Sequence, residues 1–354
     1  MADPRMDELA RTLVRYSTRL QPGETVLLRG QDAAKPLLVA LYREALLAGA
    51  LPVLWIEAEE TQQLLTRHGN DEQLGFLPGA RMAAAEQADA VIVIDAPTNL
   101  KHLSQADPQR LVLMNQAVQP FREIVLKKRW CLCQFPTQAL AQEAELSLAD
   151  YEDFLYGATN IDWAATSAEA QRWKRRLEAG REIRVVGPDT ELRLDVAGRT
   201  WIPADGKHNM PDGEIFTGPV ETSVNGHVSY EFPAIYHGRE VDGVRLEFRD
   251  GVVVDARARK NEEFLVKVLD TDPGARRLGE LGIGLNYGIQ RFSKSILFDE
   301  KIGGTVHLAV GMSYEATGGQ VKSSVHWDMI KDLRDGGAIY LDGQLIQKDG
   351  RFLD

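Results

Sequence analysis

The residues of this chain best able to do chemistry lie in its second half. Ser323-Ser324-Val325-His326-Trp327-Asp328 sets an imidazole and a carboxylate two residues apart. On a strand, side chains at that spacing project from one face, whereas on a helix they diverge. Such a pair can chelate Zn²⁺ or a similar ion, and it can equally be a plain surface hydrogen bond. A second histidine sits in Gly303-Gly304-Thr305-Val306-His307-Leu308-Ala309-Val310-Gly311, a strand by its β-branched content. Val306, Leu308 and Val310 form one apolar face. Thr305 and Ala309 flank His307 on the other and leave space beside the imidazole. A ligand facing a cavity has this pattern, and so does a satisfied core histidine.

Three acids have settings worth the same attention. Asn209-Met210-Pro211-Asp212-Gly213-Glu214 is a turn that delivers Glu214 at its exit, with Pro and Gly fixing the backbone. Leu278-Gly279-Glu280-Leu281-Gly282-Ile283-Gly284 places Glu280 in an apolar, glycine-rich run. A carboxylate buried there needs a cation or hydrogen bonds. Glu300, in Phe298-Asp299-Glu300-Lys301, is either a ligand or an ordinary exposed acid beside a lysine.

The elements that must position these groups fall into two textures. Up to about residue 180, helix and strand signals alternate. Met6, Leu9, Leu13, Tyr16 and Leu20 recur at helical spacing, and strands follow at 25–28, 51–56 and 88–94, with a possible fourth at 111–114. Alternation of this kind predicts βαβ units and a mostly parallel sheet. The loop after the first strand, RGQDAAKP, lacks G-x-G-x-x-G, so nothing points to a dinucleotide. From Arg181 the segments become short, β-rich and punctuated by glycine, and Leu192, Leu194 and Val196 alternate with polar residues as in half-buried antiparallel strands. The expected organisation is an α/β scaffold domain over 1–180 and an α+β, β-rich metal-binding domain over 181–354.

Composition narrows the function classes. The 354 residues carry 41 Lys+Arg against 52 Asp+Glu, a formal net charge of −11. No basic excess exists to displace phosphate counterions, so nucleic acid is not an expected partner. With 44% hydrophobic and 26% charged residues the chain reads as globular. Its apolar runs, such as Val91 to Ile94, are of strand length and too short for a bilayer. The start MADPRMDELA lacks the features of a signal peptide. The two cysteines, Cys131 and Cys133, would share one face of a strand and read as buried thiols. A cytoplasmic protein with no membrane partner is expected.

Taken in order, NMPDGEIFTGPVETSVNG (209–226), RRLGELGIGLN (276–286), LFDEKIGGTVHLAVGMSY (297–314) and VHWDMI (325–330) resemble the aminopeptidase T family of metallopeptidases, also known as AmpS/PepS. The chain looks like a shorter member, and the motifs span roughly residues 205–330. The resemblance implies a metal-dependent aminopeptidase acting on small peptides, with two divalent ions per chain (Zn, Co, Mn or Mg). Glu214, Glu280, His307, His326 and Asp328 fall on the family's metal-ligand positions, with Glu280 bridging. Glu300 falls near another liganding glutamate, although its spacing to His307 is two residues longer here. Tyr314 matches an active-site tyrosine, which with Glu280 would complete the catalytic set. The resemblance also implies a homodimer. The other enzyme reading is a mononuclear Fe(II) ring-cleaving dioxygenase of the 2,5-dihydroxypyridine type, for which His307, His326 and Asp328 would supply two histidines and a carboxylate. In those chains a histidine stands at the position of Glu280, so the glutamate here favours the peptidase.

Overall fold

The protein's structure, a computed structural model, describes residues 3–353. The chain forms two compact units. One runs to Ile161 and takes in Gly206–Pro211; the other holds Asp162–Asp205 and the chain from Asp212 onward.

The first unit is built on a parallel sheet of five strands, in the order Leu51–Glu57, Thr25–Gln31, Ala90–Asp95, Arg129–Gln134 and Asn209–Met210. Its central strands are continuous apolar runs because both faces are covered: Val26, Leu27, Leu28, Val91, Ile92 and Ile94 are all buried. Helices such as Lys35–Leu47 make the crossovers that parallel pairing requires. The α/β expectation for this half holds. Cys131 and Cys133 are buried thiols, outside any disulfide, on the Arg129–Gln134 strand. The edge strand Leu51–Glu57 instead leaves Leu51, Val53, Leu54 and Ile56 exposed.

One expected strand is a helix. Residues 111–114 lie inside Pro108–Leu126, which starts where the Asp107 side chain accepts from Gln109 N and Pro108 takes the first turn. A cap and an N-terminal proline outweigh a short apolar run whose period cannot by itself separate helix from strand.

The second unit carries two large antiparallel sheets and a two-stranded one, Ala234–Tyr236 with Arg239–Val241. An eight-stranded sheet runs, edge to edge, Val252–Arg257, Arg245–Arg249, Asn225–Ser229, Thr190–Asp195, Glu182–Gly187, Ala338–Leu341, Gln344–Lys348 and Arg351–Phe352. The five-stranded sheet has the order His326–Asp332, Thr305–Gly311, Leu278–Gly284, Glu214–Thr217 and Ile202–Ala204. One apolar core draws on both large sheets and on the helices Trp163–Glu178 and Glu262–Leu269. Leu192, Leu194 and Val196 face it, and so does Trp327.

The units part at Ile161/Asp162 rather than near residue 180. The reason is the helix Trp163–Glu178. Asp162 caps it by accepting from Ala165 N, and Trp173 and Leu177 sink into the second unit's core, with Trp173 stacked 3.9 Å from Phe352. Its charged composition hid the face that it buries. Trp173→Ala should destabilise the second unit by about 3–5 kcal/mol, as expected for deleting a large buried aromatic. Urea unfolding followed by circular dichroism measures this, and a change under about 1 kcal/mol would contradict the packing described.

Candidate metal centre

Three neighbouring strands of the five-stranded sheet deliver most of the site. In the pairing, Glu280 stands opposite Ala309 and Ala309 opposite Asp328, so the two carboxylates flank a small side chain across three strands. His307 pairs with Gly282, His326 with Gly311 and Glu214 with Gly284. Small partners are a steric need here. A Cβ built on Gly282 would stand 1.9 Å from Cε1 of His307, inside the imidazole. Glu214 enters from the turn before it, where Gly213 has φ +108 and no room for a side chain against Asn286.

Glu280 is the hub. Its Oε1 lies 3.1 Å from Nε2 of His307, and its Oε2 lies 3.6 Å from Nε2 of His326. On one side, Glu214 Oε2 is 3.4 Å from His307 Nε2. On the other, Asp328 Oδ2 is 3.5 Å from His326 Nε2. Ligand atoms of Glu280, His307 and Asp328 lie within 4.8 Å of one another. Two donor groups thus share one carboxylate.

Both imidazoles are aimed by the same device. His307 Nδ1 is 3.0 Å from the carbonyl oxygen of Glu300, and His326 Nδ1 is 2.9 Å from that of Met312. A carbonyl only accepts, so each Nδ1 carries a hydrogen and donates it, which leaves Nε2 as the nitrogen that faces the acids. That is the arrangement in which histidine ligates a metal.

The electrostatics ask for a cation. Glu214, Glu280 and His307 are at most 6% exposed. Burial pushes the Glu214 carboxyl up to about 8, although Lys301 and His307 pull the other way. Burial likewise raises Asp328 to about 6 against the opposing pull of His326. For His307, burial alone would lower the imidazole, yet Glu214 and Glu280 overcome it and raise the group to about 10. The carboxylates are short of positive charge. Glu214 Oε2, Glu280 Oε2 and Asp328 Oδ1 are buried with no hydrogen-bond partner, an arrangement that costs several kcal/mol unless an ion satisfies it. A nitrogen and oxygen donor set of this kind suits a divalent transition ion.

The remaining expected residues are placed as follows. The Glu300 side chain is bonded to Lys301 Nζ, while its backbone carbonyl orients His307. Lys301, taken from sequence as the neighbour of an exposed acid, is fully buried and also lies 3.6 Å from Glu214 Oε1. Tyr314 is 44% exposed, with its ring 5.2 Å from that of His326 and 5.7 Å from that of Phe216. Sequence reasoning missed Lys301, Gly282 and the Asp272 carboxylate, which accepts from Ser323 Oγ and from Ser324 N and Oγ, just before His326. Only the G-E-L-G-I-G spacing around Gly282 was a usable signal.

A family model described as thermophilic metalloprotease (M29) matches residues 2–352. The chain belongs to this family. Among curated relatives, Aminopeptidase 2 of Geobacillus stearothermophilus is 31% identical over 349 residues, covering 87% of this chain and 84% of its own length. Aminopeptidase T of Thermus thermophilus is 26% identical over 352 residues, covering 88% and 85%. The resemblance to the aminopeptidase T group read from the motifs is therefore borne out. The fold agrees with the solved wild-type AmpT from Thermus thermophilus at TM-score 0.86 and 24% identity, over 99% of each chain. The 2,5-dihydroxypyridine dioxygenase of Pseudomonas putida shares the fold more loosely, at TM-score 0.60 and 15% identity over 98% and 96%.

Gly282→Ala tests the local geometry of this M29 chain. The added methyl should displace the His307 ring and weaken divalent-metal binding by more than about tenfold, within the range expected when a ligand's support is disturbed. Titration calorimetry on chelated protein is the measurement, with circular dichroism as the check on folding.

Proposed function

We propose that the protein is a metal-dependent aminopeptidase that removes the first residue of small peptides. The observation that carries this reading is the shared carboxylate: Glu280 turns one oxygen to His307 and the other to His326, and buried acceptor atoms lack partners on both sides. Glu214, Glu280 and His307 would hold one divalent ion, and Glu280, His326 and Asp328 a second, with Glu300 nearby at the first position. Zn, Co, Mn and Mg are the candidate ions. Bound there, such ions supply Lewis acidity, which activates water near neutral pH and polarises a carbonyl.

The chain's own groups would do the rest. Glu280 holds negative charge at the middle of the centre, and a carboxylate beside it would accept the water's proton as general base. Tyr314, beside His326 and partly open to solvent, can donate its phenolic hydrogen to the developing oxyanion. The acidic cluster attracts the protonated N-terminus of a peptide, which would restrict cleavage to the first residue. The names of the curated relatives support the same activity.

Two further features belong to the proposal. The exposed apolar edge strand of the first unit, with Leu51, Val53, Leu54 and Ile56, suits a homodimer. Among the described residues no helix is long and apolar enough to cross a membrane, and a cytoplasmic site of action is proposed from the sequence. The iron-dioxygenase reading is disfavoured by Glu280, an extra carboxylate set between the two histidines.

Chelation should abolish cleavage of leucyl dipeptides, and Zn²⁺, Co²⁺ or Mn²⁺ should restore it. His326→Ala and Asp328→Ala should each lower cleavage by more than about 100-fold and reduce metal content. Full activity in either variant would sink the assignment. One tight Fe(II) site with O₂ uptake and no peptide cleavage would replace the peptidase with the dioxygenase.

A further inference from the structure

A fully buried lysine is rare unless its charge is paired. Among the described residues Lys301 and Lys331 have none of their side-chain surface exposed. Lys331 serves the far end of its strand, where it bonds Glu231 and the carbonyl of Pro188. Lys301 is different because its ammonium points at the metal centre. It is bonded to Glu300 and lies 3.6 Å from Glu214 Oε1.

We infer that Lys301 is a fixed cation built into the Glu214–His307 side of the centre, and that it makes the two metal positions unequal, the Glu280–His326–Asp328 position filling first. The inference rests on the metal centre proposed above.

The geometry of Glu214 shows the asymmetry. One of its oxygens is held by the ammonium and only the other, Oε2, faces His307 without a hydrogen-bond partner. Among the described residues, Asp328 and His326 have no lysine or arginine as an ion-pair partner, and the Asp328 Oδ1 atom has no hydrogen-bond partner. Charge balance points the same way. Glu214, Glu280, Glu300 and Asp328 together carry the charge that two divalent ions would neutralise, and Lys301 already neutralises one of the four. A first ion enters a cluster with charge to spare. A second ion meets the first across Glu280 and the ammonium beside Glu214, with one carboxylate charge left to offset both.

The ammonium cannot easily withdraw. The Lys301 backbone is pinned by its N–H donating to Phe298 O and by its carbonyl accepting from Asn286 N. The preceding carbonyl, that of Glu300, is the one that orients His307. A short segment therefore fixes one imidazole and the opposing cation together. Lys301 is in this sense a positioning and tuning residue for the centre, with no contact to substrate implied.

The test is calorimetric titration of the chelated full-length protein with Co²⁺, with metal counted per chain by mass spectrometry. Wild type should bind two ions in two resolved steps separated by more than about tenfold in affinity, the repulsion expected of a nearby buried charge. In Lys301→Met the second step should tighten by at least about tenfold, while Lys301→Arg should keep the wild-type separation. His326→Ala should remove the tighter step and leave the weaker one. Two equivalent steps in wild type would overturn the inference while leaving the metallopeptidase reading intact. An unmoved second step in Lys301→Met would also overturn it. Should Lys301→Met fail to fold, the wild-type separation and the step lost in His326→Ala decide the matter. Absence of any metal binding by wild type would take down both readings.

Discussion

A buried carboxylate without a counter-charge is the constraint around which the second unit is organised. Glu280 is 5% exposed, on a strand in which every residue is buried, and Oε2 has no hydrogen-bond partner. The cost of leaving such a group ionised is large, and its nearest polar neighbours are two imidazoles that further acids also face. The neighbourhood is built around that need. Two histidines turn Nε2 inward, Glu214 and Asp328 add further charge, and Lys301 gives part of it back. In this arrangement an ion contributes stability as well as chemistry, since binding to the native state alone favours that state by mass action.

The rest of the sheet can be understood as support for that centre. Ala309 between Glu280 and Asp328, and Gly282 against His307, are small because an imidazole or a carboxylate occupies the volume beside them. Carbonyls of Glu300 and Met312 fix the tautomers, so loop backbone on either side of the Thr305–Gly311 strand does work usually assigned to side chains. Asp272 binds the Ser323–Ser324 backbone and hydroxyls immediately before His326. Its carboxyl is held down near 2 by these hydrogen bonds, so the anchor stays ionised across neutral and mildly acid conditions.

The first unit shows how unlike constraints produce unlike sequences. A parallel sheet covered on both faces yields uninterrupted apolar strands, and this texture was readable before any coordinates. Its boundary was not. The helix Trp163–Glu178 is polar on average, and only the burial of Ala170, Trp173 and Leu177 in the second unit's core assigns it there. The segment 111–114 failed for a related reason, since a short apolar run fits strand and helix alike until a cap decides.

Residue type, order and motif spacing were enough to determine the family and the two textures, and to nominate the acids and histidines proposed for the centre. Period-two spacing put His326 and Asp328 on one face, because strand geometry leaves no alternative. Sequence could not decide which Glu280 oxygen faces which histidine, since that depends on strand register. Nor could it decide the fate of Lys301. Beside Glu300 in the chain it resembles any exposed acid–lysine pair, and only tertiary packing excludes water from it and sets it against Glu214. Local pattern specifies which groups are available, whereas burial and register specify which charges must meet.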